Sequence, residues 1–459
     1  MAKRLMSVIL AAGESEQMQS NLPKAMHTVC GKPMVSYVLD AAKQAGSEKE
    51  VMVVGFGREK LKQAFGDQVC CVVQEHSIGT GDAVACARSQ FEQFDGLVLV
   101  LPSDTPLIDA GTLKGAVAFH EEFQNEATVI TAVAPDPEGY GRVIRNGAGD
   151  VVSIVEQKLA NQSELEISEI NSGIFIFNAA ALCYALDHID SLRDDYDKAN
   201  LIHSIEVLIK SGRRVGAYDA DDAECVRGVN NRIQLFEAEA VMRSRINREH
   251  MLRGVTIMAP ADTYIEKDVI IGRDTVIFPN VHLRGKTKIG ENVTVGANTI
   301  IRDSQIEDGV DILNSVILDS YVDAGAHIGP FAYLRPNSSI GKNVKIGDFV
   351  EIKNATLDEG TKVSHLTYVG DADVGKAVNF GCGCVTVNYD GAKKYRTTVG
   401  DHAFIGCNTN LVSPVHVHDN AYIAAGSTIT DEVPESALAI ARSRQVNKLN
   451  WNDRRNQKK

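Results

Sequence analysis

A six-residue recurrence of aliphatic side chains governs the second half of this 459-residue chain. Ile271, Ile277, Leu283, Ile289, Val295 and Ile301 fall in one register. Val322, Ile328, Leu334, Ile340, Ile346 and Ile352 fall in a second, and Val399, Ile405, Leu411, Val417, Ile423 and Ile429 in a third. An α-helix repeats about every 3.6 residues and a strand every two, so neither element alone accounts for such spacing. A solenoid does: three short sides close one triangular coil, and the aliphatic residue of each side points inward. Glycine directly follows that residue at Gly272, Gly290, Gly341, Gly347, Gly400 and Gly406, which predicts a tight turn beside each side.

The first half is of another kind. Val8–Leu10, Val51–Val54, Cys70–Val73 and Leu97–Leu101 read as buried strands, with helices over Met34–Ala45 and Asp82–Phe91. Alternating strands and helices imply an α/β domain with a mostly parallel sheet, whose ligands sit at the carboxyl ends of the strands. Gly13 and Asp104, each just past a strand, occupy that position. Between the halves lies a stretch rich in Glu, Arg, Gln and Met without Gly or Pro, which reads as one long helix. The expected domains are 1–232, a linker helix 233–253, and the solenoid 254–459.

A net charge of −13 argues against nucleic acid and anionic membrane as main partners, and a polyanionic small substrate would need locally concentrated cations. No run approaches the roughly 18 apolar residues of a membrane span, and Met1-Ala2-Lys3-Arg4 opens no signal-peptide core. The nine cysteines contain no CxxC pair, so free thiols and a cytoplasmic location are expected.

Function in a repeat protein is sought where the repeat fails. The period slips near Leu357, Val363 and Val369, a segment that carries His365. Two positions after an inward aliphatic residue, this histidine should face outward, as a surface group or as a base. The period fails again between Thr386 and Val399, where Asn388–Arg396 holds three cations. A solvated loop and a lid over an anionic ligand both fit it.

The segments Pro330–Pro336 (PFAYLRP), Ser364–Ala372 (SHLTYVGDA), Thr386–Gly391 (TVNYDG) and Ala437–Ser443 (ALAIARS) narrow the choice. The six-residue period resembles that of hexapeptide-repeat acyltransferases, whose parallel β-helices are left-handed and whose chains usually form trimers. The four segments resemble the acetyltransferase half of the bifunctional N-acetylglucosamine-1-phosphate uridyltransferase / glucosamine-1-phosphate N-acetyltransferase family, and the similarity runs nearly the whole length. The resemblance implies that His365 is the general base for attack of the 2-amino group of glucosamine 1-phosphate on acetyl-CoA. It implies that Arg335 and Lys353 bind the sugar phosphate and that Tyr368 and Asn379 contact the sugar. It places Cys382, Asn388, Tyr389, Cys407, Ala425 and Arg442 against acetyl-CoA. Small residues usually stand at the positions of Cys382 and Cys407, so a small buried filler is the other reading of both.

The first half resembles sugar-nucleotide pyrophosphorylases, whose opening loop reads LAAGxGTRMxSxxPK. Leu10, Ala11, Ala12, Gly13, Met18, Ser20, Pro23 and Lys24 match. Gln74, Gly79 and Thr80 fit the uracil-contacting segment, Ser103 follows the strand before the acid, and Asp104 with Asn230 fits the pair that holds Mg²⁺. Gly141, Glu156 and Asn171 fit the sugar-phosphate contacts. The implied reaction joins UTP to N-acetylglucosamine 1-phosphate and gives UDP-N-acetylglucosamine, a precursor of peptidoglycan and lipopolysaccharide. Three departures stand out: Ser15 for the second glycine, Glu16 for the threonine and Gln17 for the arginine. Losing one preorganised donor typically costs about 3–4 kcal/mol, and Glu14 with Glu16 adds like charge, so this step is expected to be impaired or to work by a rearranged loop. The stretch from Lys198 to His203 also departs, from a family pattern like EYYLTD. Two alternatives follow: a monofunctional acetyltransferase with a degenerate nucleotide-binding domain, and a scaffold without activity.

Overall fold

The computed structural model describes residues 3–14, 16–76, 78–189 and 200–456. Ser15, Lys198 and Ala199 lie outside the described residues. The chain forms two compact units, Met1–Met242 and Arg243–Lys459. The helix Arg232–Leu252 crosses the division.

The first unit is built on a nine-stranded sheet. Along it run Val215–Asp219, Ala127–Val133, Glu169–Asn178, Gly96–Pro102, Arg4–Ala11, Glu50–Val54 and Cys70–Val73. Along this path every neighbouring pair is parallel except those of Glu169–Asn178, which runs against both strands beside it there, and the antiparallel pair Arg142–Arg145 and Val151–Val155 completes the nine. The central strands are unbroken apolar runs because both faces of the sheet are covered. Leu97, Leu99 and Leu101 enter one core and Val98 and Val100 the other. Arg4–Ala11 and Gly96–Pro102 pair in parallel, so Gly13 and Asp104 emerge at the same edge.

The helix expected over Asp82–Phe91 is corrected. The α-helix is Thr80–Cys86, and a separate 3₁₀ turn covers Arg88–Gln90. Ala87 between them has ψ near 1°, which ends the α-helical hydrogen bonding and starts the tighter turn. The helix begins earlier because Gly79 caps it.

The second unit is a parallel β-helix of three sheets with eleven, ten and nine strands. Strands of one sheet come from successive coils, as in Lys345↔Lys362↔Asn379 and Glu351↔Tyr368↔Val385. Every aliphatic residue of the three registers is buried, and these side chains stack to form a continuous core.

Glycine plays another part here than the sequence suggested. Apart from Gly329 (φ 100°), the glycines directly after the aliphatic residues are not the left-handed turn residues. They let consecutive coils approach: a Cβ on Gly347 would stand 1.9 Å from the carbonyl oxygen of Ser364. In this unit asparagine and aspartate fill the left-handed positions more often than glycine does, among them Asn292, Asn298, Asn337, Asn343 and Asp371. Their short polar side chains tolerate positive φ better than other residues bearing a Cβ.

No disulfide joins any of the nine cysteines. Among the described residues no helix is long and apolar enough to cross a membrane.

Candidate active sites

The β-helix site is organised by column. Leu366 N–H donates to the Asp348 carbonyl, Gly383 N–H to that of His365, Asn408 N–H to that of Cys382 and Gly426 N–H to that of Cys407. One corner of successive coils thus stacks Asp348, His365, Cys382, Cys407 and the Ala425–Gly426 turn. Arg442 lies beyond it, with Cδ 3.6 Å from where a Gly426 Cβ would be. The turn at Leu366 (φ 45°) leaves His365 at the corner with its side chain 59% exposed, facing outward as expected.

His365 has a partner that the sequence did not reveal. Its Nδ1 lies 2.7 Å from Oδ1 of Asp348, because strands Lys345–Asp348 and Lys362–His365 pair with these two residues in register. With the Nδ1–H donating to the carboxylate, Nε2 keeps its lone pair for a substrate proton. This hydrogen bond is the main reason that the Asp348 carboxyl sits below its usual range.

The next sheet supplies cations. Arg335 and Lys353 occupy equivalent positions on adjacent strands, after the paired Leu334 and Ile352. Arg335 donates to Glu351 at 2.8 Å, and Lys353 lies 3.5 Å from Asp371. The break in the repeat folds back on itself through a Tyr389–Lys394 bridge and brings Lys394 to Lys353. Hydrogen bonding to Lys353 and repulsion from its ammonium hold Lys394 below the usual lysine range. Two crowded ammonium groups beside a guanidinium make a site that an anion relieves. Burial alone would raise Asp371, but hydrogen bonds from Asn354 and Asn388 and the charge of Lys353 hold it below its usual range. Asn388 also donates to Tyr368 Oη at 3.3 Å, so the predicted sugar and acetyl-CoA residues meet. Asn379 stands in the strand after that of His365, opposite Lys362. The buried-filler reading of Cys382 and Cys407 does not hold: Cys407 is exposed and Cys382 half-buried. Cys384 is the buried one, and burial pushes its thiol up to about 11.

In the first unit a cavity of about 380 Å³ opens at the carboxyl edge of the sheet. Of the fourteen residues expected there, Leu10, Ala11, Ala12, Gly13, Lys24, Gln74, Gly79, Thr80, Ser103, Asp104, Glu156 and Asn171 line it. Gly141 and Asn230 stand just behind. Asn171 N–H donates to the Gly141 carbonyl at 2.9 Å, and Lys24 donates to Asn230 Oδ1 at 2.6 Å. A Cβ on Gly13 would meet nothing within 4 Å, so that face of the loop is open to a ligand. Gln74 is buried and donates to Asp82 at 2.8 Å.

The Lys24 ammonium makes an ion pair with Asp104 while it donates to Asn230. A carboxylate and a carboxamide oxygen thus converge on one cation, a hard-oxygen set that suits Mg²⁺ completed by phosphate and water. Glu14 lines the cavity, whereas Glu16 lies in a separate open cleft with Glu14, Gln19 and Ser20. The like-charge argument therefore applies to Glu14 and only indirectly to Glu16.

Residues 7–166 match the MobA-like NTP transferase domain. Residues 268–303 and 396–431 match the bacterial transferase hexapeptide (six repeats), and 318–390 the GMPPB C-terminal domain. The bifunctional protein GlmU of Acetivibrio thermocellus is 51% identical over 447 residues, 97% of each chain. That of Caldanaerobacter subterraneus subsp. tengcongensis is 51% identical, covering 99% of this chain and 98% of its own. That of a Geobacillus species is 49% identical over the full length of both. The chain belongs to the GlmU family. It is a bifunctional transferase, with a nucleotidyltransferase half ahead of a hexapeptide-repeat acyltransferase half.

Within the GlmU frame, Asn200 is the notable residue that sequence reasoning passed over. It lines the cavity, donates to Glu156 at 3.3 Å and accepts from Thr80 at 2.9 Å. Its neighbours had been noticed only as a departure from the family pattern. Nothing in the sequence singles out Asp348, whereas Lys394 is one of the three cations in the break of the repeat that a lid over an anionic ligand would use.

Proposed function

We propose that this chain acetylates glucosamine 1-phosphate with acetyl-CoA in the β-helix and then couples the product to UTP in the α/β unit, releasing pyrophosphate and giving UDP-N-acetylglucosamine. The observation that carries the first step is the His365–Asp348 pair in one column with Cys382 and Cys407, on the same coils as the Arg335, Lys353 and Lys394 cluster. The cations hold the phosphate, and Tyr368 and Asn379 hold the sugar. His365 Nε2 takes a proton from the 2-amino group as its nitrogen attacks the thioester carbonyl, and the sulfur of CoA leaves. Cys382, Cys407, Ala425 and Arg442 bind acetyl-CoA along the column, with Asn388 and Tyr389 reaching it from beside Tyr368.

In the second step the sugar phosphate attacks the α-phosphorus of UTP. Gln74, Gly79 and Thr80 hold the uracil, and Gly141, Glu156 and Asn171 hold the sugar phosphate. Asp104 and Asn230 would hold Mg²⁺, which would neutralise charge at the phosphates. Lys24 must then move from this pair toward phosphate. The altered loop at Ser15, Glu16 and Gln17 slows this step relative to loops that carry arginine.

We further propose a homotrimer in the cytoplasm, as hexapeptide-repeat acyltransferases usually form, with small-molecule substrates and neither nucleic acid nor membrane as partner. Separate assays of CoA release and pyrophosphate release test the reading. His365→Ala should lower CoA release by about 10²–10⁴ with pyrophosphate release unchanged. Near-normal CoA release by that variant removes the base assignment.

A further inference from the structure

We propose that His416, His418 and Glu432 form a binding site for a divalent first-row transition-metal ion, outside both transferase sites. His416 and His418 flank the inward-pointing Val417 at the end of strand Val415–Val417. Alternate residues of a strand share a face, and the two imidazoles accordingly stack with centroids 3.8 Å apart. Glu432 comes from the following coil. Val417 and Val433 form a parallel bridge, Val433 N–H donates to the His416 carbonyl and His418 N–H to that of Val433, both at 2.9 Å. The backbone of all three residues is thereby fixed before any ion arrives.

One ligand atom from each residue lies within 4.8 Å of the other two, and His418 Nε2 is hydrogen-bonded to Glu432. Ligands on a tetrahedral ion with bonds of about 2.1 Å stand about 3.4 Å apart. The needed contraction is a small rotation of side chains that are exposed or half-buried. Two imidazoles and one carboxylate select zinc, cobalt, nickel or copper over magnesium and calcium, which prefer all-oxygen shells. Three protein ligands leave a fourth position for water. The bound ion ties two consecutive coils near the end of the solenoid, and by mass action it raises the stability of that end.

The test uses the full chain, reduced and stripped with chelator. Zinc chloride is titrated calorimetrically, and cobalt chloride is followed by absorption, because Cys382, Cys384 and Cys407 offer a rival thiolate site. The expected result is one ion per chain at micromolar or tighter affinity, with a cobalt spectrum free of thiolate charge-transfer bands. His416→Ala combined with His418→Ala should weaken binding by about 10² or more, since loss of even an outer partner of a metal ligand costs roughly 10-fold to 10²-fold. Glu432→Gln keeps the shape, loses the charge, and should weaken binding by about 10-fold. It decides the matter if the double variant does not fold. The proposal is overturned if millimolar zinc does not bind, if the variants bind as tightly as the parent chain, or if the cobalt spectrum shows thiolate ligation.

Discussion

In the proposed acetyl transfer, Asp348 turns an exposed histidine into a directed base. A free imidazole at a β-helix corner samples rotamers and tautomers, whereas the 2.7 Å bond to Asp348 selects one of each. Asp348→Asn should therefore lower kcat for acetyl transfer by about 10-fold to 10²-fold, less than loss of the base itself. KM for both substrates should stay put, and Asp348→Glu should recover part of the rate. A variant with unchanged kcat would make the pair incidental. Arg335→Ala should act on binding instead. A hydrogen bond to a charged group is worth about 1.5–3 kcal/mol, so KM for glucosamine 1-phosphate should rise roughly 10-fold to 10²-fold; an unchanged KM would remove the phosphate role. These two residues also mark where sequence reading reaches its limit. Arg335 and His365 lie in segments of recognisable spelling. Asp348 is 17 positions from His365 and becomes its neighbour only because one coil shortens at the slip in the period, which the period alone does not align.

At the level of elements, strand interiors were legible and corners were not. The aliphatic registers report burial, and burial is a periodic demand. Corners need a close coil contact at Gly347 and a left-handed turn at Asn337; the left-handed positions Phe331, Asn337, Asn343 and Phe349 keep the six-residue spacing, but unlike residue types fill them, so no single residue type marks a corner. The loop before Lys24 shows the same limit. Its departures are plain in the sequence, yet only the fold separates Glu14, which faces the cavity, from Glu16, which does not. Replacing Ser15→Gly, Glu16→Thr and Gln17→Arg together should raise pyrophosphate release by about 10², chiefly through the arginine, with CoA release unaffected. No gain would move the defect to the divergent stretch around Asn200. A buried element elsewhere in this unit sets its acid stability. His120, in helix Ala110–Glu122, is 1% exposed, and burial lowers its pKa from 6.5 to about 4. The unfolded chain then binds a proton between these values that the folded one refuses. Stability is complete above pH 6.5 and falls as pH drops toward 4, by about 3 kcal/mol in all. Thermal melts from pH 7 to 4 should show this decline, and His120→Gln should flatten it; an equal slope in that variant would assign the decline to other groups.

For the whole molecule, the division of labour follows the division of the chain. Every residue assigned to uridyl transfer lies in Met1–Met242, and every residue assigned to acetyl transfer in Arg243–Lys459. The two reactions share only N-acetylglucosamine 1-phosphate, the product of one and substrate of the other. If that intermediate leaves the first site and finds the second by diffusion, two defective chains should complement each other. His365→Ala retains uridyl transfer without acetyl transfer. Asp104→Ala retains acetyl transfer but loses one of the two oxygen ligands assigned to Mg²⁺. Neither alone should convert glucosamine 1-phosphate, acetyl-CoA and UTP into UDP-N-acetylglucosamine. An equal mixture should do so after a lag while free intermediate accumulates, at a final rate set by the slower site. Added N-acetylglucosamine 1-phosphate should abolish the lag in the mixture and restore synthesis to the His365→Ala chain alone. A mixture that stays inactive, although each variant passes its own single-step assay, would mean that the intermediate is not released. The two units would then be coupled in a way that the separate residue sets do not imply.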